Sequence, residues 1–453
     1  MIIQKKNSLV QIGKRIKSLI NPANIAVKEI SPNMKILKDV HIPMPDGSYL
    51  SANIYMPKQE GTFPALLALH PGRKDAVCKN GYMHIQFRFA RIPGVITISD
   101  ETSFEAPDPD FWVANGYVIV NIDKRGFGIS PKGEHPQTYF GQEEIQDLYD
   151  AVEWAGIQPW SNGNVGLFGV SYLAINQYKV AELNPPHLKA ICPWEGVSDL
   201  YKDWFYPGGV REDGFTPFLS SRLQTFGYGM DLRKEQLNRE TRDEWWQSFV
   251  PDFEKITIPI LNCISFSTQM FHSRGSTRVY ERVGSEHKWL FTHRGGEWTE
   301  YYSNEVTALV LKFFDYFLKG INNGMPDHPK VRLEIREFGD EVKEVRYEKQ
   351  WPPENIMWTP FYLNGQSNQL SSESNTQDSE CTFDLADDSA VYSYVFKRDT
   401  EIVGSMKLTL YIQLEDCVDA NIFAGIQKFH EGKEVNFEGV YGFANDIVSK
   451  TAL

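Results

Sequence analysis

The feature that constrains this chain most is a short apolar run that ends in Gly-x-Ser and leads straight into a helix-compatible segment. Residues 165–172 read VGLFGVSY, so β-prone side chains precede Ser171, and Tyr172 begins the next segment. A serine at this place stands on a tight turn between a strand and a helix. Small residues before it, such as Gly169, avoid a clash with the neighbouring strand. We therefore expect the hydroxyl of Ser171 to project free of the sheet.

Further apolar runs predict strands that alternate with helices. The predicted strands cover residues 64–69, 117–122, 188–192, 258–264 and 288–292, and helical spacing of apolar residues recurs at 145–152 and 306–317. This alternation predicts a parallel sheet with helices on both faces. Together with the turn at Ser171, which has the geometry of a nucleophile elbow, it predicts the α/β-hydrolase fold.

Two segments depart from the alternation. Residues 199–251 are rich in aromatic and charged side chains and predict a mostly helical cap inserted between strands. Beyond residue 326 the pattern changes to short strand-like runs without long helices, which predicts an all-β sandwich domain. The predicted runs are residues 331–335, 357–363, 390–396, 406–412 and 421–426.

The predicted domain organisation follows from these patterns. We expect an N-terminal extension over residues 1–32, a hydrolase domain over 33–325 with its cap at about 199–251, and a β-sandwich domain over 326–453. Within the extension, residues 8–20 have a basic amphipathic pattern. It favours a surface helix packed on the main domain over a membrane contact.

Composition excludes several classes of partner. The net charge of −13 over 453 residues argues against a nucleic-acid-binding surface. No apolar stretch approaches the roughly 20 residues that a membrane span needs, so we expect no membrane partner. The five cysteines are widely spaced without a Cys-x-x-Cys pair, which predicts no zinc cluster and favours a reducing cytoplasm. We expect no metal and no cofactor, and the oligomeric state, a homo-oligomer included, stays open.

A nucleophilic serine needs a histidine base oriented by a carboxylate. His293 ends the last predicted core strand, at the sheet edge where catalytic loops gather, and is the first choice for the base. His272, which follows the preceding strand, is the second. For the acid we expect Glu195, which follows the strand at residues 188–192. Asp199 and Glu297 are the alternatives, since they also lie in loops near the same edge.

Hydrolysis through a serine also requires two preorganised donors for the developing oxyanion. We expect the first donor to be the backbone N–H of Tyr172, which follows the nucleophile. We expect the second donor in the loop after the strand at residues 64–69, where Gly72 allows a backbone N–H to approach the substrate.

With these residues in place, the chain resembles the family of cocaine-esterase-like and X-prolyl-dipeptidyl-peptidase-like serine hydrolases. The resemblance extends roughly from residue 39 to the end. It implies an α/β-hydrolase domain, a helical cap, a C-terminal jelly-roll-like domain, and hydrolysis of esters or amides without a metal. The segments that carry it are residues 43–47 (PMPDG), 123–130 (DKRGFGIS), 151–154 (AVEW), 159–163 (PWSNG), 169–172 (GVSY) and 404–408 (GSMKL).

The sequence also departs from the family pattern at sites of catalysis. Ala174 stands where the family motif has its last glycine, Thr268 lies in the region of the family aspartate, and Gly72 follows Pro71 where the family has its oxyanion tyrosine. The leading hypothesis is a serine hydrolase acting on a small ester or amide. The alternatives are a hydrolase-derived binding protein with a degenerate triad and, more specifically, an X-prolyl dipeptidyl peptidase.

Overall fold

A computed structural model describes residues 24–90, 95–339, 341–374, 378–384, 389–437 and 447–452 of the chain. Most of the predicted N-terminal extension, including the amphipathic pattern at residues 8–20, lies outside the described residues.

The framework is one ten-stranded sheet whose strand order is β12-β11-β10-β9-β8-β7-β4-β6-β3-β2. The strands from β11 to β6 are parallel, whereas β12, β3 and β2 add antiparallel pairs at the two edges. The central strands are buried along their length, as expected for a sheet covered on both faces. The bounds are β2 Met34–Pro43, β3 Tyr49–Pro57, β4 Phe63–His70, β6 Val118–Asp123, β7 Ser161–Val170, β8 Leu188–Trp194, β9 Ile260–Ser265, β10 Lys288–His293, β11 Val331–Arg336 and β12 Val342–Glu348. The predicted α/β-hydrolase core is therefore present.

The connection between β4 and β6 carries small elements of its own. It holds α1 (Tyr82–Ala90), β5 (Val95–Ser99) and α2 (Pro109–Ala114). Strand β5 pairs in parallel with β1 (Asn24–Lys28) in a separate two-stranded sheet. This connection supplies Arg73, Phe104 and Glu105 to the site described below.

Helices cover both faces of the sheet. Helix α3 (Gln142–Gly156) packs on one face, and α10 (Asn304–Lys319) packs on the other. Helix α10 begins where the Ser303 side chain accepts a hydrogen bond from a backbone N–H of the first turn, and it ends at Gly320, whose φ of 69° is left-handed. The remaining helices of the core are α4 (Tyr172–Ala181), α8 (Arg274–Arg282) and α9 (Glu297–Tyr301).

The segment between β8 and β9 forms the predicted helical cap. It contains α5 (Phe215–Phe226), α6 (Leu232–Asn238) and α7 (Glu244–Gln247). Their aromatic side chains form a cluster with residues that follow Ser171 in α4, which joins the cap to the serine turn.

The main sheet continues past residue 326, where the sequence predicts the second domain to begin. Strand β11 pairs in parallel with β10, and β12 pairs with β11, so the sheet continues to Glu348. Strand-like patterns predict strands but not the sheet that they join, and the domain boundary at residue 326 stays a prediction.

The described residues beyond β12 form short antiparallel pairs. They are β13 (Tyr362–Asn364) with β14 (Gln369–Ser371), β15 (Phe423–Ile426) with β18 (Ser449–Ala452), and β16 (Lys428–His430) with β17 (Lys433–Val435). The strand predicted at residues 390–396 is reduced to a single bridge at Ser393, and residues 406–412 form no strand. The apolar residues Leu408, Leu410 and Tyr411 are exposed there, so they lack the packing partner that a sandwich would supply. The sandwich itself stays a prediction.

Candidate active site

Ser171 occupies the sharp turn between β7 and α4. Its backbone has φ of 55° and ψ of −110°, a combination that a non-glycine residue adopts only under constraint. The Ser171 N–H donates to the Trp194 carbonyl at 2.9 Å, which fixes the turn to the end of β8. A Cβ on Gly169 would lie 2.5 Å from the Cβ of Leu173, so glycine is needed for strand and helix to approach this closely. The predicted elbow geometry is present.

An open pocket with a cavity volume of about 90 Å³ is lined by Ser171 and by residues of the cap. We call it the Ser171 pocket. Aromatic residues form about half of its wall, and Arg73, Glu105 and Arg222 are its charged residues. Phe104, Phe140, Trp204, Phe271 and Trp298 are among the rings. A wall of this kind binds an apolar group and orients it with a few polar contacts.

Glu105 is a pocket residue that sequence reasoning missed. Its carbonyl accepts a hydrogen bond of 3.1 Å from the N–H of Val170, the residue just before the serine, and its φ of 66° is left-handed. Burial raises the pKa of Glu105 to about 7, against the opposing charge of Arg73 and an interaction with Trp298. Residue 105 lies in the long connection after β4, where no local periodicity marks it.

The two predicted oxyanion donors come from residues with fixed surroundings. Tyr172 opens α4, and the first N–H groups of a helix have no intrahelical partner. Its phenol donates to Glu144 at 2.8 Å, which holds the residue in place. Gly72 has φ of 78°, and a Cβ there would lie 3.0 Å from atoms of Phe226 in the cap. Its neighbours Pro71 and Arg73 line the Ser171 pocket.

The structure brings His293 and Glu195 together. His293 is the last residue of β10, and Glu195 directly follows β8; both side chains are fully buried. His293 Nε2 lies 3.0 Å from Glu195 Oε1, although the contact is not aligned as a hydrogen bond. Burial disfavours the charged imidazole, but the carboxylate of Glu195 and the charges of Glu300 and Glu334 outweigh it, so the pKa of His293 is raised. Thr268 donates to the other oxygen of Glu195 at 2.9 Å.

The alternative residues of the sequence analysis form a second pair. His272 Nε2 lies 3.9 Å from Glu297 Oε1, and both side chains are buried. Burial lowers the pKa of His272 to about 4. Burial also raises the pKa of Glu297 well above its usual value, with the charges of Glu195 and Glu105 adding to the effect. A neutral imidazole beside a protonated carboxyl group makes this pair a weaker proton relay than a charged one.

Asp199 is not part of either pair. Its carboxylate accepts from the Lys202 N–H at 3.2 Å and from Arg242 Nε at 2.9 Å, so it anchors the entry into the cap. The Ser171 hydroxyl has no hydrogen-bond partner among the described residues. The structure therefore assembles a serine turn and two histidine–glutamate pairs without joining the serine to either imidazole.

Glu195, Cys263 and His293 could together offer three ligand atoms, which lie within 4.8 Å of one another. Burial raises the pKa of the Cys263 thiol well above its usual value, which opposes the thiolate that a metal would need. The donor set therefore fits a metal poorly, and a metal-free site stays our prediction.

Two family models match the chain. Residues 46–227 match the X-Pro dipeptidyl-peptidase (S15 family), and residues 323–453 match the X-Pro dipeptidyl-peptidase C-terminal non-catalytic domain. A crystal structure of a CocE/NonD family hydrolase from Staphylococcus aureus is 36% identical, with a TM-score of 0.83, and the match covers 93% of this chain and 75% of that one. The chain belongs to the CocE/NonD hydrolase family. This confirms the resemblance and the α/β-hydrolase fold.

More distant relatives of this CocE/NonD family chain have names that include both esterases and peptidases. Cocaine esterase from Rhodococcus sp. (strain MB1 Bresler) is 25% identical over 397 residues, which are 74% of this chain and 63% of the esterase. A putative Xaa-Pro dipeptidyl-peptidase from Bacillus cereus is 22% identical over 345 residues, 68% of this chain and 57% of the relative. The chain thus spans about three fifths of the length of these relatives. Among the described helices, none combines the length and the apolar character needed to cross a bilayer.

Proposed function

We propose that this protein is a serine hydrolase that cleaves a small ester or amide through an acyl-enzyme. The observation that carries the proposal is the strained turn of Ser171 in the wall of a pocket rich in aromatic side chains. The nucleophile in such a turn stands clear of the sheet and faces the substrate. Membership of a hydrolase family supports the same reaction.

The reaction has two steps. The Ser171 oxygen forms a bond to the substrate carbonyl carbon while its proton passes to a base, and the base returns the proton to the departing alcohol or amine. Water then attacks the acyl-serine by the same route and releases the acid. The Tyr172 N–H, with an N–H of the loop around Gly72, is proposed to stabilise the oxyanion in both steps.

His293 with Glu195 is the proposed base and orienting acid. A carboxylate that favours the charged imidazole lowers the cost of accepting the serine proton, and the raised pKa of His293 is the signature of this arrangement. Thr268 supports the proposal because it donates a hydrogen bond to Glu195 and lies in the region where the family pattern has an aspartate. Proton transfer requires the imidazole and the hydroxyl to approach to about 3 Å, and catalytic hydrogen bonds often tighten only when substrate binds.

Hydrolysis of short-chain aryl esters, such as 4-nitrophenyl butyrate, tests the proposal. We expect turnover by the wild-type protein, loss of more than a thousandfold in Ser171→Ala, and a comparable loss in His293→Gln. A His272→Gln variant is the matched comparison for the base. A larger loss in His272→Gln than in His293→Gln would assign the base to the second pair.

The rival function is a binding protein derived from a hydrolase. The lack of a hydrogen-bond partner for the Ser171 hydroxyl among the described residues favours it. It predicts a folded wild-type protein that binds ligands in the Ser171 pocket but hydrolyses neither esters nor Gly-Pro and Ala-Pro anilides. Cleavage of the anilides in preference to esters would instead identify an X-prolyl dipeptidyl peptidase.

We also propose that the protein acts in a reducing compartment, the cytoplasm. All five cysteines are free, and Cys78, Cys192 and Cys263 are buried as thiols. Secreted proteins commonly pair their cysteines in disulfides, whereas cysteines in a reducing compartment stay as free thiols. Fractionation of cells that express the native gene measures the compartment directly.

A further inference from the structure

The charges that line the Ser171 pocket contrast with the charge of the protein. The chain carries a net charge of −13, yet two of the three charged pocket residues are arginines. Arg73 comes from the loop after β4, and Arg222 comes from α5 of the cap. The pocket is therefore a local site of positive charge beside the candidate nucleophile.

Arg73 is held firmly but its donors are poorly used. The side chain is about nine-tenths buried, and its guanidinium packs over the rings of Phe104 and Phe226 at 4.9 and 5.1 Å. The nearest carboxylate oxygen, on Glu105, is 3.9 Å away, and the buried Nε has no hydrogen-bond partner among the described residues. A buried guanidinium with unmet donors is costly unless a ligand completes it.

Glu105 does not cancel this charge. Because burial raises its pKa to about 7, the carboxyl is mostly protonated below neutral pH and carries one negative charge at most above it. Arg222 lies 5.8 Å from the ring of Phe226 and forms no ion pair among the described residues. The pocket thus keeps a net positive charge from pH 6 to pH 8.

We propose that the Ser171 pocket selects substrates whose apolar body carries a carboxylate, and that Arg73 is the specificity-determining residue that binds this group. The inference rests on the proposed function for the reaction, but the binding preference can be measured without turnover. The aromatic wall takes the apolar body, while the planar guanidinium offers paired donors that match a carboxylate. Arg222, which also lines the pocket, adds to the attraction.

Calorimetric binding to the Ser171→Ala protein tests the proposal with ligands of equal shape and different charge. We expect 3-phenylpropionate to bind at least tenfold more tightly than 3-phenylpropionamide at pH 7. A second substitution, Arg73→Gln, should reduce this preference to less than threefold, whereas Arg73→Lys should retain part of it. Arg211→Gln is the control, because Arg211 lies in the cap segment, is paired with Asp213 and does not line the pocket.

Three results would overturn the proposal. Equal or absent binding of the two ligands by Ser171→Ala would show that the pocket does not bind a carboxylate selectively. Tighter binding of 3-phenylpropylamine than of 3-phenylpropionate would show that Glu105 binds an amine instead. An equal loss for both ligands in Arg73→Gln would show that the arginine only shapes the wall. Since none of these measurements needs hydrolysis, failure of the esterase assay leaves the binding test intact, and the reverse also holds.

Discussion

Replacing Glu195 by glutamine examines the proposed base most sharply, because the change preserves shape and removes one charge. Both side chains of the His293–Glu195 pair are fully buried, and their closest atoms are 3.0 Å apart. Coulomb's law at an effective dielectric constant of about 20 gives about 5 kcal/mol for two unit charges at this distance. That is the stabilisation that a protonated His293 loses in Glu195→Gln.

The expected kinetic effect follows from this loss. If most of it is felt in the transition state, kcat/KM for 4-nitrophenyl butyrate falls by about 10²–10⁴-fold, at about 1.4 kcal/mol per factor of ten. The pKa of His293 should fall as well, since burial then acts without its main opposing charge. An NMR titration of the imidazole measures this shift independently of activity.

The matched controls are Asp199→Asn and Glu297→Gln. Asp199 follows the same strand but pairs with Arg242, so we expect less than a threefold change in kcat/KM. Loss of less than threefold in Glu195→Gln, together with a hundredfold loss in Glu297→Gln, would refute the assignment and move the base to His272.

Three further predictions concern the elbow, the helix that covers the sheet and the pocket. Gly169→Ala should lower the free energy of unfolding by about 1–3 kcal/mol, because the added Cβ would lie 2.5 Å from Leu173. Gly163→Ala is the control: its Cβ enters open space, so it should lower the free energy of unfolding by about 1 kcal/mol through its positive φ alone. Equal losses for the two variants in chemical denaturation would contradict the packing argument. Ser303→Ala should cost about 1 kcal/mol by loss of the α10 cap, whereas Ser303→Asp should retain it, and both are measured by denaturation. The affinity of the Ser171 pocket for 3-phenylpropionate should fall as pH rises through about 7, because Glu105 then ionises, and a Glu105→Gln variant with the same pH dependence would rule this out.

The groups that face Glu105 determine the sign of that last prediction. Arg73 lies beside it and favours its ionised form, while the pKa of Glu297 in α9 is raised well above its usual value by burial and by the charges of Glu195 and Glu105. Burial is the largest influence on Glu105, so its pKa stays above the usual value of 4.5. Protonated at low pH and ionised at high pH, it can only weaken the attraction for an anion as pH rises.

Local and periodic features were predictable from the sequence. The strand that ends at Val170, the turn at Ser171 and the helix that follows all depend on neighbouring residues, and the structure has them where the pattern places them. The meeting of His293 and Glu195 was also predictable, because the carboxyl ends of parallel strands share one edge of the sheet. The catalytic roles of these residues stay predictions.

Features that depend on distant packing were not predictable. Arg73 and Glu105 lie in the connection after β4, and only the fold brings them together beside the serine. Strand β11 extends the main sheet by pairing with β10, and β12 extends it by pairing with β11; no sequence spacing encodes these pairings. Residues 406–412 alternate like a strand, yet a strand also needs a partner, and none pairs with them among the described residues.

The proposed chemistry depends on an accessible, activatable alcohol at residue 171. Treatment of the folded protein with a fluorophosphonate, followed by mass spectrometry of its peptides, tests this directly. We expect one covalent adduct, located on Ser171, that is absent from Ser171→Ala and strongly reduced in His293→Gln. A folded protein that takes up no label, or that carries the label on another residue, would show that Ser171 is not the nucleophile.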